Sequence, residues 1–266
     1  MSVAIIGAGM TGLLAAKACM DKGIMPTILS ATKPNPGHGV RYLHDNCGLP
    51  LKPIEIETAF VGYGDKFMRW NKADQRAMAG LYAIKTGASQ TNNSIHRSVK
   101  TVTAYNWMDA WSMLQGLRIT ECEVLPSDMR GLSRKFDLVI NTAPLNKIYP
   151  HSKSQCLYRE MYVSDCSPYP NHDGWASTPD NIIVYNVDID APWTRYSRGD
   201  GIEQTEYLRP VEGAHKVIKV DGKVKFYNHQ DNVLLLGRYG KWDSTYMAHM
   251  AYYDTMSRLE KMGFGK

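Results

Sequence analysis

An α/β fold, with a central parallel sheet and a second, smaller α+β domain carrying an antiparallel sheet, is what this sequence predicts. Three observations predict it. The chain opens on a fully apolar run, Val3-Ala4-Ile5-Ile6, followed at once by glycines and then by helix formers. Two more apolar runs, Leu138-Val139-Ile140 and Val233-Leu234-Leu235-Leu236, recur far downstream. Between them lie four strand-like segments, at 182–187, 203–208, 214–220 and 223–228. Continuous apolar runs suit strands buried on both faces of a parallel sheet, whereas short strands joined by tight turns suit an antiparallel one.

The first element is the best specified. After the strand at 3–6, residues 13–23 carry Leu13, Leu14, Ala16, Lys17, Ala18 and Met20, a helix ending at Gly23. Residues 24–29 then read as a second buried strand, which completes a βαβ unit. The turn between strand and helix is spaced Gly7-x-Gly9-x-x-Gly12. Each glycine has a mechanical task in that place: Gly7 makes the tight turn, Gly9 lets backbone approach a pyrophosphate, and Gly12 lets helix pack on strand. Met10, Thr11 and Gly12 then offer the free N–H groups of a helix start, with its positive dipole end, to a diphosphate. The pattern therefore predicts a dinucleotide. The acidic residue that usually binds a ribose hydroxyl about 20 residues on is missing. Its position holds Ser30, which can still hydrogen-bond a ribose, followed by Ala31, Thr32 and Lys33. Lys33 suits a 2′-phosphate, as in NADP, so the turn alone leaves the choice of dinucleotide open.

Composition excludes more than it selects. With 266 residues, 44% apolar and 21% charged, the chain can bury one large core or two smaller ones. No apolar run reaches the ~18–20 residues needed to span a bilayer, and no signal peptide is expected. Five scattered cysteines without a CxxC pair argue against a disulfide framework or a zinc site and for a reducing, cytoplasmic setting. The net charge of +5 favours anionic partners mildly, without a basic block that would mark a nucleic-acid binder. There is no GxSxG, HExxH or Walker loop, and no carboxylate pair, so hydrolase and metal readings lack support.

Four later stretches carry a family resemblance. Residues 135–144, KFDLVINTAP, resemble the D-x-V-I-x-T-A-P strand of two-domain FAD flavoproteins, which passes beside the cofactor. Residues 232–242, NVLLLGRYGKW, followed by a helix expected from Ser244 as N-cap to Met262, resemble the closing strand–Gly–helix of the amine oxidase and UDP-galactopyranose mutase group. In that group the closing helix turns its N-terminus to the flavin's carbonyl edge. Residues 182–208 resemble a mutase segment at Asn186, Asp190, Pro192, Thr194, Arg195, Glu206 and Tyr207, with Trp193 in place of Tyr. Residues 37–46, GHGVRYLHDN, resemble the mutase loop that passes over the flavin. The matches follow the family's order along the chain, while residues 47–134 match no family. The resemblance implies a Rossmann-like FAD-binding domain at 1–46, 115–150 and 230–266, and a substrate domain at 47–114 and 151–229 whose sheet roofs the flavin. It implies FAD rather than NAD(P).

Within the substrate domain the apolar spacing predicts helices over 65–86 and 104–117, and Asp221-Gly222 predicts a hairpin joining 214–220 to 223–228. The resemblance makes His38, Arg195 and Tyr207 the candidate catalytic groups. Arg195 is suited to a carboxylate or phosphate, or else to a salt bridge with Glu206. Candidate cofactor contacts are Gly7, Gly9, Met10, Thr11, Gly12, Ser30, Arg41, Tyr42, Thr142, Ala143, Pro144, Gly237, Arg238, Trp242 and Asp243. The chemistry this implies is FAD-dependent action on a C–N bond, as an oxidase or lyase. The substrate would be a small molecule or an amino-acid-modified thymine of phage DNA, so DNA is a candidate partner and a membrane is not. The alternatives are redox-neutral, mutase-like catalysis on a nucleotide-sugar, an NADP reductase, and a non-catalytic dinucleotide sensor.

Overall fold

The computed structural model describes residues 1–33, 42–62, 66–68, 72–88, 102–166, 180–199, 201–226 and 230–264. Its first sheet is parallel throughout and has the strand order β14-β8-β1-β2-β7. These strands are β1 (Val3–Ile6), β2 (Thr27–Ser30), β7 (Ile119–Glu121), β8 (Leu138–Asn141) and β14 (Val233–Leu235). β1 and β8 are buried at every position, as their unbroken apolar sequence requires. The expected α/β class, with its first βαβ unit, is therefore present.

Helix α1 (Met10–Asp21) crosses from β1 to β2. It is mostly buried because it lies between the sheet and the C-terminal helix α7 (Met250–Lys261), with Leu13, Leu14, Ala15, Ala16, Cys19, Ala251 and Leu259 in one core. Leu49, Leu51 and the buried face of α3 (Trp107–Leu114: Ala110, Trp111, Leu114) join the same core. Asn106 caps α3 by accepting from the Met108 and Asp109 N–H groups at 2.7 and 3.0 Å. The strand order reverses at β1, with β2 on one side and β8 on the other. In open α/β sheets that switch point, at the carboxyl ends of the strands, is where ligands bind.

The second sheet has nine strands, ordered β13-β9-β12-β11-β10-β4-β6-β3, with β5 beside β4. They are β3 (Tyr42–Leu43), β4 (Pro53–Gly62), β5 (Lys66–Met68), β6 (Val102–Asn106), β9 (Tyr158–Ser164), β10 (Ile182–Asn186), β11 (Trp193–Gly199), β12 (Ile202–Tyr207) and β13 (His215–Val220). Every ladder is antiparallel except β4–β10, so the sheet is mixed rather than purely antiparallel. Helix α2 (Lys72–Thr86) packs on it through Met78, Ala79 and Tyr82 against Phe60, Tyr185 and Val187.

Several local expectations need correction. The helix over 65–86 begins only at Lys72, because residues 66–68 pair with β4. The helix over 104–117 surrenders its start to β6, since Val102–Asn106 pairs with β4 and β3. Among the described residues β13 does not fold back on 223–226, and the rest of the expected return strand lies outside them. β13 takes β9 as partner along its full length, and Lys223 bridges to Asp243 instead. The helix expected from Ser244 begins at Met250. The strand β14 runs first into a single helical turn, α6 (Gly237–Gly240). Two further short helices, α4 (Met129–Lys135) and α5 (Leu145–Ile148), flank β8. No helix among the described residues is long and apolar enough to cross a membrane.

Candidate functional site

The switch point is lined by the three glycines of the opening turn, and each meets a different environment. Gly7 has φ +98°, and a Cβ there would stand 2.5 Å from the Thr142 hydroxyl, so only glycine fits. A Cβ on Gly12 would overlap the Gly7 carbonyl, which shows how tightly α1 is drawn onto the end of β1. A Cβ on Gly9 would meet nothing within 4 Å. The backbone at Gly9 thus faces open space while its neighbours are tightly enclosed. Gly9 is also the N-cap of α1, and it supplies no side-chain cap to the first turn, which holds no acidic residue. The N–H groups of Met10, Thr11 and Gly12 therefore stand at a positive helix end without a neutralising side chain.

The ends of the neighbouring strands close on this turn. Thr142, just past β8, donates its hydroxyl to the Ile6 carbonyl at 2.8 Å, and its N–H bonds the same oxygen at 2.9 Å. Ala143 is fixed by reciprocal bonds with the Asn141 side chain at 3.1 and 3.2 Å, and Pro144 is the N-cap of α5. Gly237 has φ +83°, and a Cβ on it would lie 2.8 Å from the Thr11 methyl. A Cβ on Gly240 would lie 2.5 Å from the Asn141 carbonyl. The α6 turn is thereby held against both α1 and β8, and its Arg238 lies within electrostatic reach of Arg195 and Glu206.

Beyond Arg238 the second sheet presents a buried charge cluster. Glu206 of β12, only 2% exposed, receives Arg195 of β11 on one carboxylate oxygen and Lys219 of β13 on the other. Burial pushes the Glu206 carboxyl up, but the adjoining Arg195 and Lys219 charges overcome it and hold it below the usual carboxylate range. Burial works against the Arg195 cation too, yet Glu206 and the surrounding phenols keep it firmly ionised. Lys219 is the group that yields. Burial and the Arg195 charge bring its ammonium down to about 7, against the support of Glu206, and Arg238 adds to the repulsion. Arg238, although exposed on α6, is lowered in turn by desolvation and by the Arg195 charge. With Lys219 protonated, three cations face one carboxylate. The Arg195 Nε is buried and has no hydrogen-bond partner among the described residues.

Tyrosines wall this cluster. Tyr185 of β10 pairs in register with Arg195 and packs edge-on to Tyr82 of α2, with ring centroids 5.1 Å apart. Burial pushes both phenols up. Tyr42 of β3 is pushed up to about 12 by burial and by Tyr185, partly offset by Arg195. It stacks edge-on with His44 at 4.9 Å, and His44 does the same with His249 at 5.6 Å. A neutral, aromatic lining of this kind keeps the local dielectric low and strengthens the field of the cations.

The structure thus brings together Gly7, Gly9, Met10, Thr11, Gly12, Thr142, Ala143, Pro144, Gly237 and Arg238 at one end, and Arg195, Glu206 and Tyr42 at the other. The Arg195–Glu206 salt bridge is formed, but it leaves Arg195 inside a cationic cluster. His38 and Arg41 lie outside the described residues. Four candidates stand apart from these two groups. Tyr207 follows Glu206 in the same strand, so its side chain faces the opposite side of the sheet, where it packs with Val61, Trp193 and Tyr196. It cannot share a site with Glu206. Trp242 is 2% exposed, in a core with Leu145, Cys156 and Val220, and donates its indole N–H to the Leu157 carbonyl at 2.8 Å. Asp243 spends its carboxylate on Thr245, at 2.6 and 3.0 Å, and on Lys223 at 3.0 Å, ordering the chain after α6. Ser30 stands at the end of β2, where its hydroxyl donates to the Thr32 carbonyl at 2.8 Å. Lys219, Tyr82 and Tyr185 were not marked by any motif. The only trace of Lys219 in the sequence is a basic residue flanked by apolar ones in a strand, a pattern shared by many surface strands.

No protein-family model and no curated protein matches the sequence. Solved structures do match, over nearly the whole chain and at low identity. A structural-genomics protein from Pyrococcus furiosus is 11% identical, with 100% of this chain and 98% of its own covered and a TM-score of 0.54. Putrescine oxidase, solved with putrescine bound, is 10% identical, with 98% and 99% covered and a TM-score of 0.50. CtdE, solved in complex with FAD and a substrate, is 12% identical, with 97% and 79% covered and a TM-score of 0.50. At such identities the likeness establishes the fold, a parallel Rossmann-like sheet joined to a second mixed sheet.

Proposed function

We propose that this chain is an FAD-dependent oxidoreductase acting on a C–N bond of a substrate that also carries an anionic group. The observation that carries the reading is the pairing of an open, uncapped helix start at Gly9 with a cation excess around the buried Glu206, from the half-buried Arg195 and Lys219 and the exposed Arg238. The residues at the first end fit a dinucleotide: the N–H groups of Met10, Thr11 and Gly12 would hold the diphosphate, and Gly9 leaves room for it. The solved structures of putrescine oxidase and of CtdE with FAD, on the same fold, support the choice of flavin. When bound, FAD supplies a two-electron acceptor for hydride from the carbon that bears the nitrogen.

The chain's own residues then have defined tasks. Arg195 and Arg238 bind and orient a carboxylate, which answers the unbalanced charge. The same cations disfavour a further positive charge nearby, so an amine held there sheds its proton to the neutral, oxidisable form. Lys219, whose ammonium is brought down to about 7, accepts that proton in its neutral amine form. Tyr42, Tyr82 and Tyr185 exclude water. An α-amino acid meets these demands, free or carried on a thymine of DNA. Domain boundaries at 150/151 and 229/230 belong to the same proposal; those at 46/47 and 114/115 do not, because Leu49, Leu51 and α3 share the core of α1 and the parallel sheet.

The test is anaerobic reduction of the FAD-loaded protein. Bleaching by amino acids, and not by amines of equal size without a carboxylate, is expected. Bleaching by simple amines alone would contradict the anionic subsite. A gel shift with duplex DNA at low salt separates a DNA-borne substrate from a free one. A second reading, redox-neutral catalysis on a nucleotide-sugar, draws support from one observation: Thr194-Arg195 and Gly237-Arg238, the two mutase-like pairs, meet in a single cluster able to hold a diphosphate. Perturbation of the flavin spectrum by UDP-sugars without bleaching would favour it.

A further inference from the structure

The dinucleotide reading leaves one gap, the missing acidic residue at the end of β2. A ribose presents two hydroxyl donors at that place, and a carboxylate answers both. Ser30 has a single short hydroxyl, already donated to the Thr32 carbonyl. The parallel register supplies a substitute. β7 is the neighbour of β2, with Ile28 opposite Ile119, Leu29 opposite Thr120 and Ser30 opposite Glu121. The ladder is continued by the Cys122 N–H, which donates to the Ser30 carbonyl at 2.8 Å. Residues in register on adjacent parallel strands point to the same face, about 4.8 Å apart. Glu121 therefore stands beside Ser30, at the same sheet end and on the same face, with a side chain one methylene longer than that of Asp.

Glu121 is also available. It is exposed, and among the described residues no ion pair or hydrogen bond engages it. That contrasts with other carboxylates of the parallel-sheet side. Asp21 is taken by Lys17 and Tyr252, Asp45 by Tyr253 and the Cys47 N–H, and Asp137 by Ser2. The next carboxylate, Glu123, lies past the strand end and outside the ladder.

We infer that Glu121, reaching across from the neighbouring strand, is the carboxylate that binds the adenosine ribose of the cofactor, in the place left by Ser30 at the end of β2. The inference rests on the FAD reading above and deepens it. The ribose role has moved one strand sideways, from β2 to β7, while the diphosphate cradle has stayed in place. A carboxylate there also disfavours a 2′-phosphate by like charge, so Lys33 does not turn the site toward NADP.

The experiment titrates the full-length apoprotein with FAD and, separately, with riboflavin 5′-phosphate, which lacks the adenosine half. Flavin fluorescence reports both affinities. Glu121→Gln is expected to weaken FAD binding about tenfold or more, the scale of a hydrogen bond to a charged group. Riboflavin 5′-phosphate binding should stay within about twofold, and Glu123→Gln should leave both unchanged. The apoprotein melting temperature of Glu121→Gln should match that of the wild type, since the side chain is exposed and unpaired among the described residues. Unchanged FAD affinity in Glu121→Gln, or an equal loss for both flavins, overturns the inference and leaves the FAD reading standing. A wild-type protein that takes up NADP in preference to FAD, or neither, overturns the two together.

Discussion

At the start of α1 no charged side chain occupies the first turn, and glycines expose the backbone itself. In the second sheet Arg195 and Lys219 pair with the single carboxylate of Glu206, and Arg238 adds its charge to theirs. Both regions are suited to an anion, and they differ in what supplies the positive charge. The first uses a fixed dipole that no pH change titrates, and it needs only local sequence. The second uses side chains from β11, β12, β13 and α6, and one of them titrates near neutrality. The first is therefore a constant anchor, and the second can respond to its occupant and to pH.

Removing the carboxylate from the second region is the harshest way to break the contrast. Glu206→Gln leaves the half-buried Arg195 and Lys219 without their counter-ion, and should cost about 2–4 kcal/mol of stability. Urea denaturation measures it, and a loss below about 1 kcal/mol would mean that the cluster is solvated. Gly12→Ala strikes the first region, where the new methyl overlaps the Gly7 carbonyl. It should destabilise by about 1–3 kcal/mol as α1 is pushed off β1. Gly9→Ala, three residues earlier, meets nothing within 4 Å. It should leave the melting temperature close to that of the wild type and yet weaken FAD binding about tenfold or more, because its methyl fills the approach of the diphosphate. If Gly9→Ala and Gly12→Ala behave alike, the first region is only a turn.

The second region sharpens with pH. Below about 7 the Lys219 ammonium is present, and three cations face Glu206. As pH rises through that value the proton leaves and one cation is lost. Affinity for a small carboxylate such as benzoate should therefore fall about tenfold between pH 6 and 8.5, by calorimetry. Lys219→Met should flatten the profile. The unfolded chain keeps this proton up to the ordinary lysine range near 10.5, so the same group makes the fold more stable as pH rises from 7 toward that range. The first region should show no such dependence.

The contrast also explains how much was legible in sequence. The Gly7–Gly12 turn could be read because strand, turn and helix are contiguous, and each glycine answers a steric demand a few residues away. β8 and β14 could be read because strands buried on both faces must be apolar throughout. Arg195 and Glu206 were visible only through a resemblance. Lys219, Tyr82 and Tyr185 were not visible at all, since they meet by the pairing of distant strands and by the packing of α2. Tyr207 was misplaced for a simpler reason. Side chains alternate along a strand, so Glu206 and Tyr207 cannot face the same crevice, and a motif match does not encode which one does. Ser244 looked like a helix cap, yet the chain there is tied by Asp243 to Lys223 and Thr245, and α7 starts six residues later.

The central claim is that a flavin dinucleotide spans both regions, its diphosphate on the first turn of α1 and its reactive ring toward Arg238. The most direct measurement is the absorption spectrum of the purified protein, followed by FAD titration of the wild type and of Gly9→Ala. The account predicts a yellow protein, or a colourless one that takes up one FAD per chain, and a Gly9→Ala variant that folds but retains FAD poorly. A wild-type protein that stays colourless and declines added FAD, or a Gly9→Ala variant that holds FAD as tightly as the wild type, would contradict it.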